Sequence, residues 1–107
     1  LKKESIMYIV LCNYKLKPGS REELLNGVRK ENLEARLHAQ PGNIEYSFLI
    51  PPGQEDVLRI VEVWEKKEDF DAHKNCEATA AWRKLNAGLI EGRDNHRYQT
   101  AEQNQFT

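Results

Sequence analysis

Two short apolar runs, residues 7–14 and 57–64, constrain this chain more than any other feature. Both are rich in β-branched and aromatic side chains and short for helices, so both read as strands. Successive side chains of a strand point to opposite faces. The first run therefore sets Ile9 and Leu11 against Tyr8, Val10 and Cys12, and the second sets Val61 and Val63 against Leu58, Ile60 and Trp64. Both faces are apolar, so the sheet built from these strands needs a cover on each side.

The intervening segments predict where one cover comes from. Pro18-Gly19 ends the first strand, and Ser20-Arg21-Glu22-Glu23 has the spacing in which a serine caps a helix and a glutamate reaches back to it. The helix is expected over residues 20–39, with Leu24, Leu25, Val28, Ala35 and Ala39 on its buried stripe, Asn32 among them, and Leu37 elsewhere. Pro41-Gly42 stops it. Residues 44–50 alternate, with Tyr46, Phe48 and Ile50 opposite Glu45 and Ser47, and residues 51–56 form a hairpin loop into the 57–64 strand. A short helix over 66–75 precedes a second over 77–90, which carries Ala78, Ala81, Trp82, Leu85 and Leu89 inward and ends at Gly92. A last strand is expected over 95–100.

This order gives an α+β fold, the ferredoxin-like βαββαβ monomer, with a four-stranded antiparallel sheet and helices on one face. One domain fills residues 7–100, with an N-terminal extension at 1–6 and a polar tail at 101–107. The simplest cover for the second face is another copy of the chain, giving a homodimer through sheet faces.

Composition excludes several functions. No run approaches the roughly 18 apolar residues of a membrane span, so a soluble cytoplasmic protein with no membrane partner is expected. The formal charge of −1 comes from interspersed acids and bases with no basic stripe, which argues against nucleic acid. Cys12 and Cys76 are too few for a disulfide framework and read as reduced thiols. The sequence has no C-x-x-C, no glycine-rich phosphate loop and no metal-ligand spacing, and His73 with Cys76 falls short of a zinc site, so no metal is expected.

The candidate site lies where the 57–64 strand meets the next helix. Glu62-Val63-Trp64-Glu65 and Phe70-Asp71-Ala72-His73 bring a carboxylate, an indole and an imidazole to one corner. Glu62 and Trp64 share a strand face, and a buried carboxylate there has to be paired or protonated. His73 titrates near neutral pH and suits a general base; a structural bond to a backbone carbonyl or to Glu62 is the other role open to it. Trp64 either walls a pocket or fills the core. Asn32 needs a partner in the core or in the cavity. Asn13 alternates with Cys12, so one of the two faces the pocket.

Lys17-Pro18-Gly19, Gln40-Pro41-Gly42 with Tyr46 beyond it, and the two segments around Trp64 and His73 together resemble the antibiotic biosynthesis monooxygenase family of dimeric α/β barrels, over about residues 7 to 100. The resemblance implies oxygen insertion into a small aromatic or quinol in a pocket between sheet and helices. It implies no cofactor, whether metal, flavin or haem, with molecular oxygen as co-substrate. A deprotonated phenol or enol donates electrons to oxygen itself, so the protein removes a proton, holds the ring and excludes water. On this reading His73, Trp64 and Glu62 form the catalytic set, with His73 as base and Glu62 orienting it. Asn13, Asn32, Tyr46 and Phe70 are the substrate-binding candidates. The chain departs from the family at Ala78, where many members carry a second histidine, and at Gln40, where an acidic residue is common.

Two other functions fit the same residues. An isomerase of the autoinducer-processing type would shuttle a proton on His73 or Glu62, and a phosphorylated substrate would call for basic residues such as Arg36, Arg59 or Arg97. A non-catalytic ligand- or haem-binding module would use His73 as the iron ligand.

Overall fold

The computed structural model describes residues 6–101. The elements are β1 (Ile6–Leu16), α1 (Arg21–Lys30), α2 (Leu33–His38), β2 (Asn43–Leu49), β3 (Val57–Trp64), α3 (Lys67–His73), α4 (Glu77–Asn86) and β4 (Ile90–Ala101). The strands form one sheet in the order β2-β3-β1-β4, and every neighbouring pair is antiparallel. This is the ferredoxin-like α+β fold. The two most apolar strands, β1 and β3, hold the centre, each flanked by a neighbouring strand on both edges.

The pleat sorts the two faces as their alternation predicts. Tyr8, Val10, Cys12, Tyr14 and Leu16 of β1 and Leu58, Ile60 and Trp64 of β3 are buried toward the helices. They pack with Leu24, Leu25 and Val28 of α1, Leu33 and Leu37 of α2, Phe70 of α3, and Ala78 and Trp82 of α4. On the other face Ile9, Leu11, Val61 and Val63 are half-buried, and Tyr98 of β4, paired with Ile9, is 53% exposed.

The expected helix over 20–39 is instead two helices. Asn32 takes a left-handed conformation, φ 51° and ψ 40°, which ends the α1 spiral and restarts it in a new phase. Leu33 and Leu37 turn fully inward, while Ala35 and Ala39 are exposed, the reverse of a continuous stripe. Ser20 does not cap with its side chain. Its backbone is already helical at φ −90° and ψ −13°, and its hydroxyl donates to the Lys17 carbonyl at 2.7 Å.

Gly42 is required twice over. Its φ is +80°, and a Cβ there would stand 2.2 Å from the Asp69 carboxyl carbon, so only a bare backbone lets the start of α3 lie across the entry to β2. Its carbonyl accepts from the Glu65 amide at 2.8 Å, tying the ends of β2 and β3 together.

The last strand is longer than expected. α4 stops at Asn86, Gly88 makes the turn at φ +77°, and Gly92 lies inside β4 opposite Lys15 instead of ending a helix. Ile6 pairs with Ala101 at the ends of β1 and β4. The remainder of the expected extension and tail lies outside the described residues.

Candidate functional site

A cavity of about 360 Å³ opens between the helix-facing side of the sheet and helices α3 and α4. Val10, Cys12 and Tyr14 of β1, Tyr46 of β2 and Glu62 of β3 form its floor. Phe70 and His73 of α3 and Thr79 and Trp82 of α4 wall it, and Lys74, Arg83, Arg93 and Arg97 stand around it.

Glu62 sits at the centre of the floor and is only 6% exposed. The Trp64 indole Nε1–H donates to Glu62 Oε1 at 3.0 Å. Tyr46, directly opposite Glu62 in the β2–β3 ladder, also hydrogen-bonds to it. Both bonds favour the carboxylate, yet burial outweighs them and pushes the Glu62 pKa up to about 7. Burial, with the Glu62 charge second, pushes the Tyr46 hydroxyl well above its usual range.

His73 is held from three sides. Its Nδ1 meets the Phe70 carbonyl at 2.5 Å, a contact that needs the proton on Nδ1 and leaves Nε2 as the acceptor. Nε2 lies 3.7 Å from Glu62 Oε1. The Trp64 and Phe70 ring centroids each lie 5.0 Å from the imidazole. Thr79 Oγ1 donates to the His73 carbonyl at 2.8 Å, fixing the end of α3 against the start of α4. Burial lowers the His73 pKa, with the bond to Phe70 opposing. Near neutral pH the pair is therefore a carboxyl poised to lose its proton beside a neutral imidazole whose lone pair faces it.

The structure brings Glu62, Trp64, His73, Tyr46 and Phe70 together. Trp64, fully buried, is not itself the wall but lies behind Glu62 as its hydrogen-bond donor; the indole that reaches the cavity is Trp82. Asn13 lies on the far face of the sheet, because the pleat turns Cys12 inward. There Asn13 Nδ2 donates to Asp94 Oδ1 at 3.0 Å, and Arg59 Nε donates to Asn13 Oδ1 at 2.7 Å. Asn32 is exposed at the break between α1 and α2, away from the cavity, because its left-handed backbone takes it off any helical stripe. Ala78 is buried in the core, and Gln40 turns its Nε2 to the Leu37 carbonyl at 2.8 Å.

Sequence reasoning reached Arg97 alone, as a residue a phosphorylated substrate would call for, and missed the rest of the contribution of β4. Arg93, Asn95 and Arg97 face the cavity at alternate positions opposite Tyr14, Cys12 and Val10, and the Cys12 thiol donates to Asn95 Oδ1. The signal was their period of two, which polar side chains hide from a search for apolar alternation. Among the described residues no three His, Cys, Asp or Glu side chains are grouped closely enough to hold a metal ion. Nor is any described helix long and apolar enough to cross a membrane.

The structure thus sets an aromatic-walled cavity around a buried acid and imidazole on a ferredoxin-like sheet. The family model of the antibiotic biosynthesis monooxygenases matches residues 7–85, and the chain belongs to that family. Solved structures share the fold. A Nitrosomonas europaea protein provisionally described as an antibiotic biosynthesis monooxygenase is 20% identical with a TM-score of 0.80, over 94% of each chain. A Chloroflexus aurantiacus protein with the same provisional description is 22% identical with a TM-score of 0.72, over 94% of this chain and 97% of that one. One from Caulobacter crescentus is 16% identical with a TM-score of 0.76, over 92% of each. No curated protein sequence matches the chain.

Proposed function

We propose that the protein is a cofactor-independent monooxygenase acting on a small aromatic or quinol-type substrate in the cavity between sheet and helices. The observation that carries this reading is the buried Glu62–His73 pair inside an aromatic enclosure. His73 Nε2 accepts the proton of a phenol or enol, and the ionised Glu62 beside it stabilises the imidazolium that forms. The resulting anion gives its electrons to molecular oxygen; one oxygen atom enters the ring and the other leaves as water. Phe70, Tyr46 and Trp82 hold the ring, and Trp64 keeps Glu62 in place. The chemistry calls for no metal, flavin or haem.

The reading includes a homodimer. Ile9, Leu11, Val61, Val63 and Tyr98 form an apolar patch on the sheet face that the helices leave open, and a second copy packed sheet to sheet would cover it.

The test is oxygen uptake with a panel of quinols. His73→Ala and Glu62→Gln are each expected to slow it by about 100-fold or more. Unchanged uptake in both variants removes the pair from the mechanism. Turnover that continues without oxygen would instead favour proton-shuttling isomerisation.

A further inference from the structure

The cavity carries an excess of positive charge that proton abstraction does not use. Arg83 from α4 and Arg93 and Arg97 from β4 converge on it, with Lys74 just beyond the end of α3. Among the described residues Glu62 is the only carboxylate lining it, in a chain whose formal charge is −1. Among the described residues the guanidinium groups of Arg83 and Arg93 make no hydrogen bond or ion pair. Arg97 is braced by a ring instead: its Cζ lies 5.0 Å from the Phe70 centroid, and Lys74 Nζ lies 5.1 Å from the same ring. Lys74 is partly neutralised, 3.7 Å from Asp71 Oδ1, and Arg97 feels the charges of Asp71 and Glu62.

Arg83, Arg93 and Arg97 are exposed, and what sets the two on β4 apart is their direction. These are placed by the ladder: Arg93 and Arg97 lie opposite Tyr14 and Val10, so alternation points both toward the cavity over a floor with one acid. A ring bound against Phe70 and His73 would leave its outer edge toward these guanidinium groups, donors of the kind that suit an oxyanion.

We infer that the substrate carries an anionic oxyacid group, a carboxylate or a phosphate ester, which Arg83, Arg93 and Arg97 receive while its ring lies against His73 and Glu62. The inference rests on reading the cavity as the substrate pocket. It names the substrate class within that reading: an aromatic acid or its phosphorylated counterpart, in place of a neutral quinol.

Binding is to be measured by calorimetry without oxygen, so that no turnover intervenes. The probes are gentisate, its methyl ester, hydroquinone monophosphate and hydroquinone. At least one anionic probe is expected to bind about tenfold or more tightly than its neutral counterpart. The preference should shrink with added salt, collapse in the Arg93→Gln, Arg97→Gln double variant, and persist in part in the corresponding lysine variant. Whichever anion binds more tightly assigns the group as carboxylate or phosphate. Equal affinity for charged and neutral rings, a preference that survives the glutamine variant, or no binding of either anion overturns the inference. The two readings fail separately: anion preference without oxygen uptake leaves the substrate charge standing and removes the monooxygenase, and oxygen uptake with no anion preference does the reverse.

Discussion

A carboxyl group 6% exposed beside an imidazole 8% exposed costs stability in opposite directions of pH. Glu62 has its pKa raised to about 7 from an ordinary 4.5, so between those values the unfolded chain gives up a proton that the folded chain keeps. Stability is fully present below the unfolded value and falls as pH rises through the folded one, by about 3 kcal/mol in all. For His73 the folded pKa is lowered, so stability is lost as pH falls below the ordinary 6.5. Denaturant melts of Glu62→Gln should lose the decline between about pH 4.5 and 7 and be more stable than the parent above neutral pH; an unchanged pH profile would mean Glu62 is not the buried acid. The same group sets the activity profile. On the proposed mechanism kcat/KM rises with pH through a midpoint near 7 as Glu62 ionises, and that limb disappears in Glu62→Gln.

At the scale of elements, what the sequence made legible was whatever side chains alternate or repeat to serve burial. β1 and β3 were read in place because both faces of each are apolar, and Glu62 with Trp64 followed from strand alternation. Two features carry no such signal. The break at Asn32 is a single left-handed residue, invisible to a periodicity search, and it reversed the assignment of Ala35 and Leu37. β4 is exposed from Glu91 to Thr100, so its ladder with β1 rests on main-chain bonds that leave no apolar pattern, and of the arginines around the cavity Arg97 alone is named from sequence, without Arg83 and Arg93. Which of Cys12 and Asn13 faces inward was likewise a question of register, open until the ladder was known. The break at Asn32 has a measurable cost. Asn tolerates the left-handed region and Gly does so better, so Asn32→Ala should lose about 1 kcal/mol in chemical denaturation while Asn32→Gly stays within roughly 0.5 kcal/mol of the parent. Equal effects of the two would show that Asn32 matters through its side chain and not its backbone.

At the scale of the whole molecule, a sheet with helices on one face leaves Ile9, Leu11, Val61 and Val63 half-buried and Tyr98 open. In the proposed dimer these meet their counterparts, so Val61→Asp should place two buried charges at the interface. Sedimentation velocity is expected to give a dimer for the parent and a monomer for the variant; a parent that sediments as a monomer at all concentrations would rule the assembly out. The chain has two tryptophans, and both attend the cavity. The Trp64 indole is bonded to the carboxyl that titrates near neutral pH, and Trp82 lies on the wall where a ring would settle. Tryptophan emission, excited at the red edge where tyrosine does not absorb, therefore originates at the pocket, and the native chain is its own indicator: its intensity should follow the ionisation of Glu62 and the arrival of a ligand with no dye attached.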